Sequence, residues 1–252
     1  MGEPAHDLDI IDVRPAYTAA DAAAMQARFE GVPAQDMLHE LLAGELRGEI
    51  AAVSSFGAES AVLLHMVAQV DREVPVIFTN TQKMFGETLA YRDELAERLG
   101  FTDLRVFRPD PRLLRLKDEK GLRWSYDPDG CCELRKVEPL RRALRPFRSW
   151  ISGRKGFQAS TRRALPRFEE DEGRLKINPL ADWSKDDLDG YFAAHDLPRH
   201  PLEAQGYLSI GCAPCTSKVR PGEDPRAGRW RGWDKMECGI HVADRPGEEP
   251  VF

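Results

Sequence analysis

The apolar positions of this chain fall into short runs that alternate with stretches of helical spacing. Glu49-Ile50-Ala51-Ala52-Val53-Ser54 predicts a buried strand, and Ala61 to Val70 predicts an apolar helix after it. Val74 to Thr79 predicts a second strand, with Pro75 tolerated at its start. Tyr91, Leu95 and Leu99 lie four residues apart and predict a helix over Glu87 to Leu99, ended by Gly100. Leu104–Phe107, Arg148–Ser152 and Leu175–Asn178 predict three further strands. Upstream, residues 15–47 read as helical through Met37, Leu38, Leu41, Leu42 and Leu46. Near residue 184, Ser184 predicts a helix N-cap, with Trp183 and Leu188 placed to staple it. Strands alternating with helices predict an α/β fold with a mostly parallel sheet flanked by helices. Past Pro198 the chain is rich in Gly, Pro and charge, and residues 216–252 show neither period. One domain is expected, with a core over about 45–215 and a mobile tail or lid over 216–252.

Composition narrows the class. An apolar content of 42% is ordinary for a globular chain, and no run of 18 apolar residues is present. The polar N-terminus lacks a signal-peptide core, so a cytoplasmic location is expected, with no membrane. A net charge of −6 argues against a general nucleic-acid binder. Between Arg105 and Arg167, however, 18 Lys and Arg stand against 7 Asp and Glu. Part of that excess is expected on solvated surface, notably Arg141, Arg142, Arg145 and Arg148. The rest suits a field that attracts a small polyanion.

Two features carry candidate chemistry. Ser54-Ser55-Phe56-Gly57-Ala58-Glu59-Ser60 lies between a predicted strand and helix, where backbone N–H groups and the helix dipole favour an anion. It is neither a Walker A loop nor a dinucleotide fingerprint. The second feature is five cysteines: adjacent Cys131-Cys132, then Cys212-Ala213-Pro214-Cys215, then Cys238 within Glu237-Cys238-Gly239-Ile240-His241. Four thiolates suit zinc or an iron–sulfur cluster, although the adjacent pair makes a poor zinc knuckle. A vicinal disulfide or inert buried thiols are the bland alternatives. Cys238 is then a remaining thiol, expected to be accessible in the tail, with Lys235, His241 and the Arg226/Arg229 pair as sources of positive charge.

Over about residues 45–245 the chain resembles the bacterial, thioredoxin-dependent 5′-adenylylsulfate reductases of the PAPS reductase family. The resemblance rests on the Ser55–Ser60 loop, Cys131-Cys132-Glu133-Leu134-Arg135-Lys136, Ile151-Ser152-Gly153-Arg154-Lys155-Gly156-Phe157-Gln158, the Cys212–Cys215 turn and Glu237 to His241. It implies an adenine-nucleotide α-hydrolase-like, Rossmann-like three-layer fold. It also implies a [4Fe–4S] cluster held by Cys131, Cys132, Cys212 and Cys215. Ser55, Phe56, Gly57 and Ser60 would bind the nucleotide, with Arg154 and Gln158 lining the cleft and Arg162 a weaker candidate. Cys238 would be the nucleophile, assisted by Lys136, Arg226, Arg229 and His241. The implied reaction is thioredoxin-driven reduction of adenylylsulfate to sulfite and AMP through S-sulfocysteine, in sulfate assimilation and cysteine biosynthesis. The same chemistry on 3′-phosphoadenylylsulfate is the near alternative; an ATP-using tRNA thiolation enzyme and an iron–sulfur sensor are more distant. A homo-oligomer is compatible with the sequence. One departure stands out: the family usually carries Asp-Thr-Gly after its second strand, and this chain has Asn80-Thr81-Gln82.

Overall fold

The computed structural model describes residues 15–158, 162, 164–235 and 237–241. Six strands form one sheet in the order β3-β2-β1-β4-β6-β5. They are β1 Ile50–Val53, β2 Val76–Thr79, β3 Leu104–Phe107, β4 Ser149–Ser152, β5 Phe168–Asp171 and β6 Arg174–Ile177. All neighbouring strands are parallel except β5 and β6, which form an antiparallel hairpin. The hairpin turns on Glu172 (φ 49°) and Gly173 (φ 78°), two successive left-handed residues that match the twist of a two-residue turn. β5 escaped the sequence reading because Phe168-Glu169-Glu170-Asp171 is mostly charged.

Strand periodicity decides what each face meets. Ile50, Ala52, Val76, Phe78, Ile151, Leu175 and Ile177 join the larger core. Ala51, Ile77 and Trp150 point the other way, onto Leu140, Ala143, Leu144 and Phe147. The larger core is covered by α1 Ala19–Arg28, α2 Ala34–Glu40, α3 Ser60–Val70, α4 Gly86–Leu99 and α8 Lys185–Ala194. Side chains such as Leu64 and Phe78 are fully buried there, each worth about 1.5–3 kcal/mol of transfer energy. Gly100 ends α4 at φ 72°, and Ser184 caps α8 reciprocally with Asp187, both as the sequence predicts.

Two regions differ from the expected pattern. The stretch 15–47 is two helices, separated at Gly31 (φ 70°) and Pro33, with a widened turn at Leu41–Glu45 after α2. Residues 111–143 hold helices that the sequence pattern did not show: α5 Pro111–Lys117, α6 Pro128–Cys132 and α7 Glu138–Ala143. α6 and α7 are joined by a π turn, Glu133–Val137. Pro139 has no N–H to continue the ladder and its ring crowds the carbonyl four residues back, so the turn before it widens.

The order of strands reverses between β1 and β4. A ligand crevice is expected outside the carboxyl ends of these two strands. Among the described residues, no helix is long and apolar enough to cross a membrane.

Candidate functional site

A cavity of about 340 Å³ opens where that reversal places it. One wall comes from the β1–α3 loop and the end of β4. Phe56 occupies left-handed backbone (φ 50°), which a bulky residue adopts only under constraint. Its ring turns inward, fully buried, edge-on to Phe78 at 5.5 Å. Phe56, expected with its loop at the nucleotide, turns its side chain away: it holds the loop from beneath and does not line the cavity. Ser55, Gly57 and Ser60 do line it. Ser60 Oγ donates to the Gly57 carbonyl (2.7 Å), and the Phe56 N–H donates to Ser54 Oγ (3.1 Å). Gly57 leaves the cavity open, since an added Cβ would meet the Ile210 carbonyl only at 3.5 Å.

Arg154 and Gln158 follow β4 and line the same cavity. Arg154 pairs with Glu169 of β5, yet its buried Nε has no hydrogen-bond partner among the described residues. Gln158 donates to Glu59 (2.7 Å) and accepts from Arg162 (2.8 Å). Glu59 also takes Lys155 at 3.1 Å. Glu59, Lys155 and Glu169 were not singled out in the sequence. The first two lay within quoted motifs, whereas Glu169 lay in the unrecognised strand.

The four cysteines Cys131, Cys132, Cys212 and Cys215 converge on a second, smaller cavity. None is in a disulfide, so the vicinal bridge is not formed. The Asn80-Thr81-Gln82 turn supports the second pair. Gln82 takes the left-handed conformation (φ 61°) that glycine adopts freely, and its N–H is capped by Asn80 Oδ1 (2.9 Å). Thr81 is fully buried with its hydroxyl 3.2 Å from Cys212 Sγ, and Lys83 accepts from the Ala213 N–H (2.7 Å). Its described contacts therefore run to the cysteines. Arg135, in the π turn, is buried beneath them; it binds Asp118 at 2.6 Å and the Thr81 carbonyl at 3.0 Å. Burial pushes the Cys131 thiol up to about 11, against the pull of Arg135. Among the described residues, no three His, Cys, Asp or Glu side chains are arranged to chelate a metal ion.

The C-terminal segment joins the two cavities. Trp230, at φ 47° and 3% exposed, packs with Cys132 and Cys238 and donates its backbone N–H to the Cys215 carbonyl (3.0 Å). Arg229, Lys235 and Arg226 lie 4.3, 5.4 and 5.9 Å from its ring. Cys238 was expected to be accessible; it is buried instead, at 8% exposure, because this packing seats it against Cys132. A hydrogen bond from Cys132 holds the Cys238 thiol well below its ordinary range despite burial, helped by Lys136, the Ile240 N–H and Arg229. The same bond, with burial, drives Cys132 upward. Burial alone would lower Lys136, but the Cys238 and Cys212 charges outweigh it and its pKa rises.

Lys136, Arg226, Arg229 and Cys238 all line the larger cavity, opposite the loop. Arg229 is tucked over Gly211, where any Cβ would clash with the guanidinium, and its buried Nε has no hydrogen-bond partner among the described residues. Burial lowers Arg226 to about 10 despite its contact with Glu237. Arg162 is buried and binds Glu237. Only the backbone of His241 is described, in a short turn, so its predicted role lies outside the described side chains.

The crevice lies at the switch point of a mostly parallel sheet flanked by helices, an adenine-nucleotide α-hydrolase-like fold. Residues 49–218 match the model of the phosphoadenosine phosphosulfate reductase domain, and the chain belongs to that family. It is 51% identical over 225 residues to a Mesorhizobium japonicum protein named adenosine 5′-phosphosulfate reductase, covering 89% of each chain. A Chelativorans protein of the same name is 49% identical over 240 residues, covering 94% of this chain and 96% of its own. Among solved structures, the phosphate complex of Candida auris phosphoadenylyl-sulfate reductase superposes with a TM-score of 0.67 at 24% identity, covering 81% of this chain and 98% of that one. That last likeness concerns the fold.

Proposed function

We propose that this protein reduces 5′-adenylylsulfate to sulfite and AMP, taking two electrons from a thioredoxin dithiol in the cytoplasm, as a step of sulfate assimilation. The observation that carries this reading is a single cavity. One wall is an anion-accepting loop at a helix N-terminus, and the other presents Cys238 beside Lys136, Arg226 and Arg229. The relatives named adenosine 5′-phosphosulfate reductase support the substrate.

In this mechanism Ser55, Gly57 and Ser60 bind the 5′-phosphate region, while Arg154 and Gln158 border the nucleotide. The Cys238 thiolate attacks the sulfur of the sulfate group, the sulfur–oxygen bond to the phosphate breaks, and AMP leaves with the electron pair. Cys238 then carries an S-sulfo group. Lys136, Arg226 and Arg229, with His241 as a further candidate, stabilise the negative oxygens during transfer. A thioredoxin thiolate next attacks the Cys238 sulfur and expels sulfite. The second thioredoxin thiol resolves the mixed disulfide and returns Cys238 as a thiol.

Cys131, Cys132, Cys212 and Cys215 are not gathered to chelate a single ion, but they line one cavity and are the residues that would hold a larger [4Fe–4S] cluster. Four unbridged thiols share one cavity with Lys83, Arg135, Lys136 and Arg229, whose charges offset thiolate ligands. Adjacent cysteines on a helix suit different irons of a cubane rather than one tetrahedral ion. When bound, the cluster supplies structural and electrostatic support. With Cys132 ligated, the Cys238 thiolate keeps the Ile240 N–H, Lys136 and Arg229 as its stabilising partners.

The test is sulfite release from adenylylsulfate with reduced thioredoxin, run beside 3′-phosphoadenylylsulfate, with iron and acid-labile sulfide measured on the same sample. Faster turnover of the unphosphorylated nucleotide supports the reading, whereas no sulfite from either nucleotide rejects it.

A further inference from the structure

The residue before the proposed nucleophile is held by two arginines. Arg162 grips both Glu237 oxygens, through Nε and a terminal nitrogen at 2.7 Å each, and Arg226 adds a third contact at 3.2 Å. All three side chains are largely buried, at 7% exposure for Arg162 and 15% for Glu237 and Arg226. Forked guanidinium–carboxylate pairs fix orientation as well as distance, and burial strengthens them. Arg162 lies 75 residues upstream, so the contact ties the C-terminal segment to the cavity wall. The link continues inward, since Arg162 also donates to Gln158 (2.8 Å) and Gln158 donates to Glu59 in the anion loop (2.7 Å).

We infer that Glu237 is a positioning residue, whose paired contacts with Arg162 and Arg226 hold Cys238 inside the cavity. The inference rests on Cys238 being the nucleophile proposed above. A buried thiol next to such a doubly paired carboxylate is held in line with the bound nucleotide by it. The same tether must open when the thioredoxin dithiol reaches Cys238.

The experiment measures Cys238 alkylation by iodoacetamide in the full-length chain, isolated anaerobically, with peptide mapping to separate Cys238 from the other four cysteines. Glu237→Gln keeps the shape and removes the charge. It should raise the Cys238 alkylation rate on the order of ten- to a hundredfold, the weight of a charge-assisted hydrogen bond. Its kcat should fall by a similar factor while AMP affinity and nucleotide KM stay within about twofold, a split that general destabilisation would not give. Arg162→Gln should raise alkylation likewise, and carries the test if Glu237→Gln does not fold. An unchanged Cys238 alkylation rate in the folded variant overturns the inference, as does an unchanged kcat. If even the unaltered protein forms no sulfite, the functional reading fails, while the alkylation rates still decide whether Glu237 holds the segment.

Discussion

The two walls of the cavity are built by different means. The loop wall is regular structure: a strand, a turn and a helix, with Phe56 driven into the core so that the turn's backbone faces outward. The cysteine wall has only short pieces of regular structure among its described residues: the single-turn helix α6, the π turn after it and short 3-10 turns. Ion pairs, cation–π contacts and thiols hold it instead. Hydrophobic burial fixes the first wall before any ligand arrives. The second depends on charges that face one another in a partly dry space, where losing one partner strands the other.

The largest expected effect lies on the cysteine wall. Cys238→Ser should abolish sulfite formation while nucleotide binding, which belongs to the loop wall, persists; simultaneous loss of both would show that the walls are not separable. Next, Lys136→Ala should lower turnover by about 10²–10³ with little change in AMP affinity. A drop in AMP affinity of the same size would move Lys136 to the nucleotide side.

His200 probes the support of the loop wall. It is fully buried, accepts from the Leu202 N–H (3.1 Å) and lies 3.1 Å from the Thr88 hydroxyl. Leu202 packs with Ala58 of the loop. Burial lowers the His200 pKa to about 4, so the unfolded chain takes up a proton first as pH falls below the ordinary histidine range. The stability that neutral, buried His200 contributes should therefore decline from about pH 6.5 to 4, by up to ~3 kcal/mol; below that, carboxylates held low in the fold, such as Glu169, carry the decline further. Urea midpoints across that range check the slope, which His200→Gln should flatten.

The smallest expected effect compares two glycines. Gly211→Ala must displace the Arg229 guanidinium and should cost about tenfold in turnover. Gly57→Ala meets only ordinary contacts within the protein and should leave thermal stability nearly unchanged, while weakening AMP binding. Equal losses of turnover with unaltered AMP binding in both would remove the distinction between the walls.

What the sequence shows follows the same division. β1, β2, α3 and α4 are legible because their side chains repeat at strand or helix period, and the anion loop lies where the two periods meet. The chemistry-bearing residues of the other wall are legible as motifs, but not their arrangement. Pro128, Gly130 and Pro139 hide a helical run, so the π turn that carries Arg135 and Lys136 has no periodic signature. Cys238 is buried against Trp230 and flanked by the Arg162–Glu237 contact, which joins distant parts of the chain. Glu237 was visible only as the neighbour of a cysteine. The Asn80-Thr81-Gln82 departure is visible in the sequence as a changed motif, but not its partner: its described contacts support Cys212.

Trp230 gives the second wall an optical signature. It is one of five tryptophans, and its indole is enclosed by Cys132 and Cys238 with three cations around it. Thiols at van der Waals range quench indole emission by electron transfer, and an indole shielded from water emits toward the blue. Undocking of the C-terminal segment would therefore brighten and redden this one fluorophore. The protein carries its own reporter for the position of Cys238, readable in real time without a label.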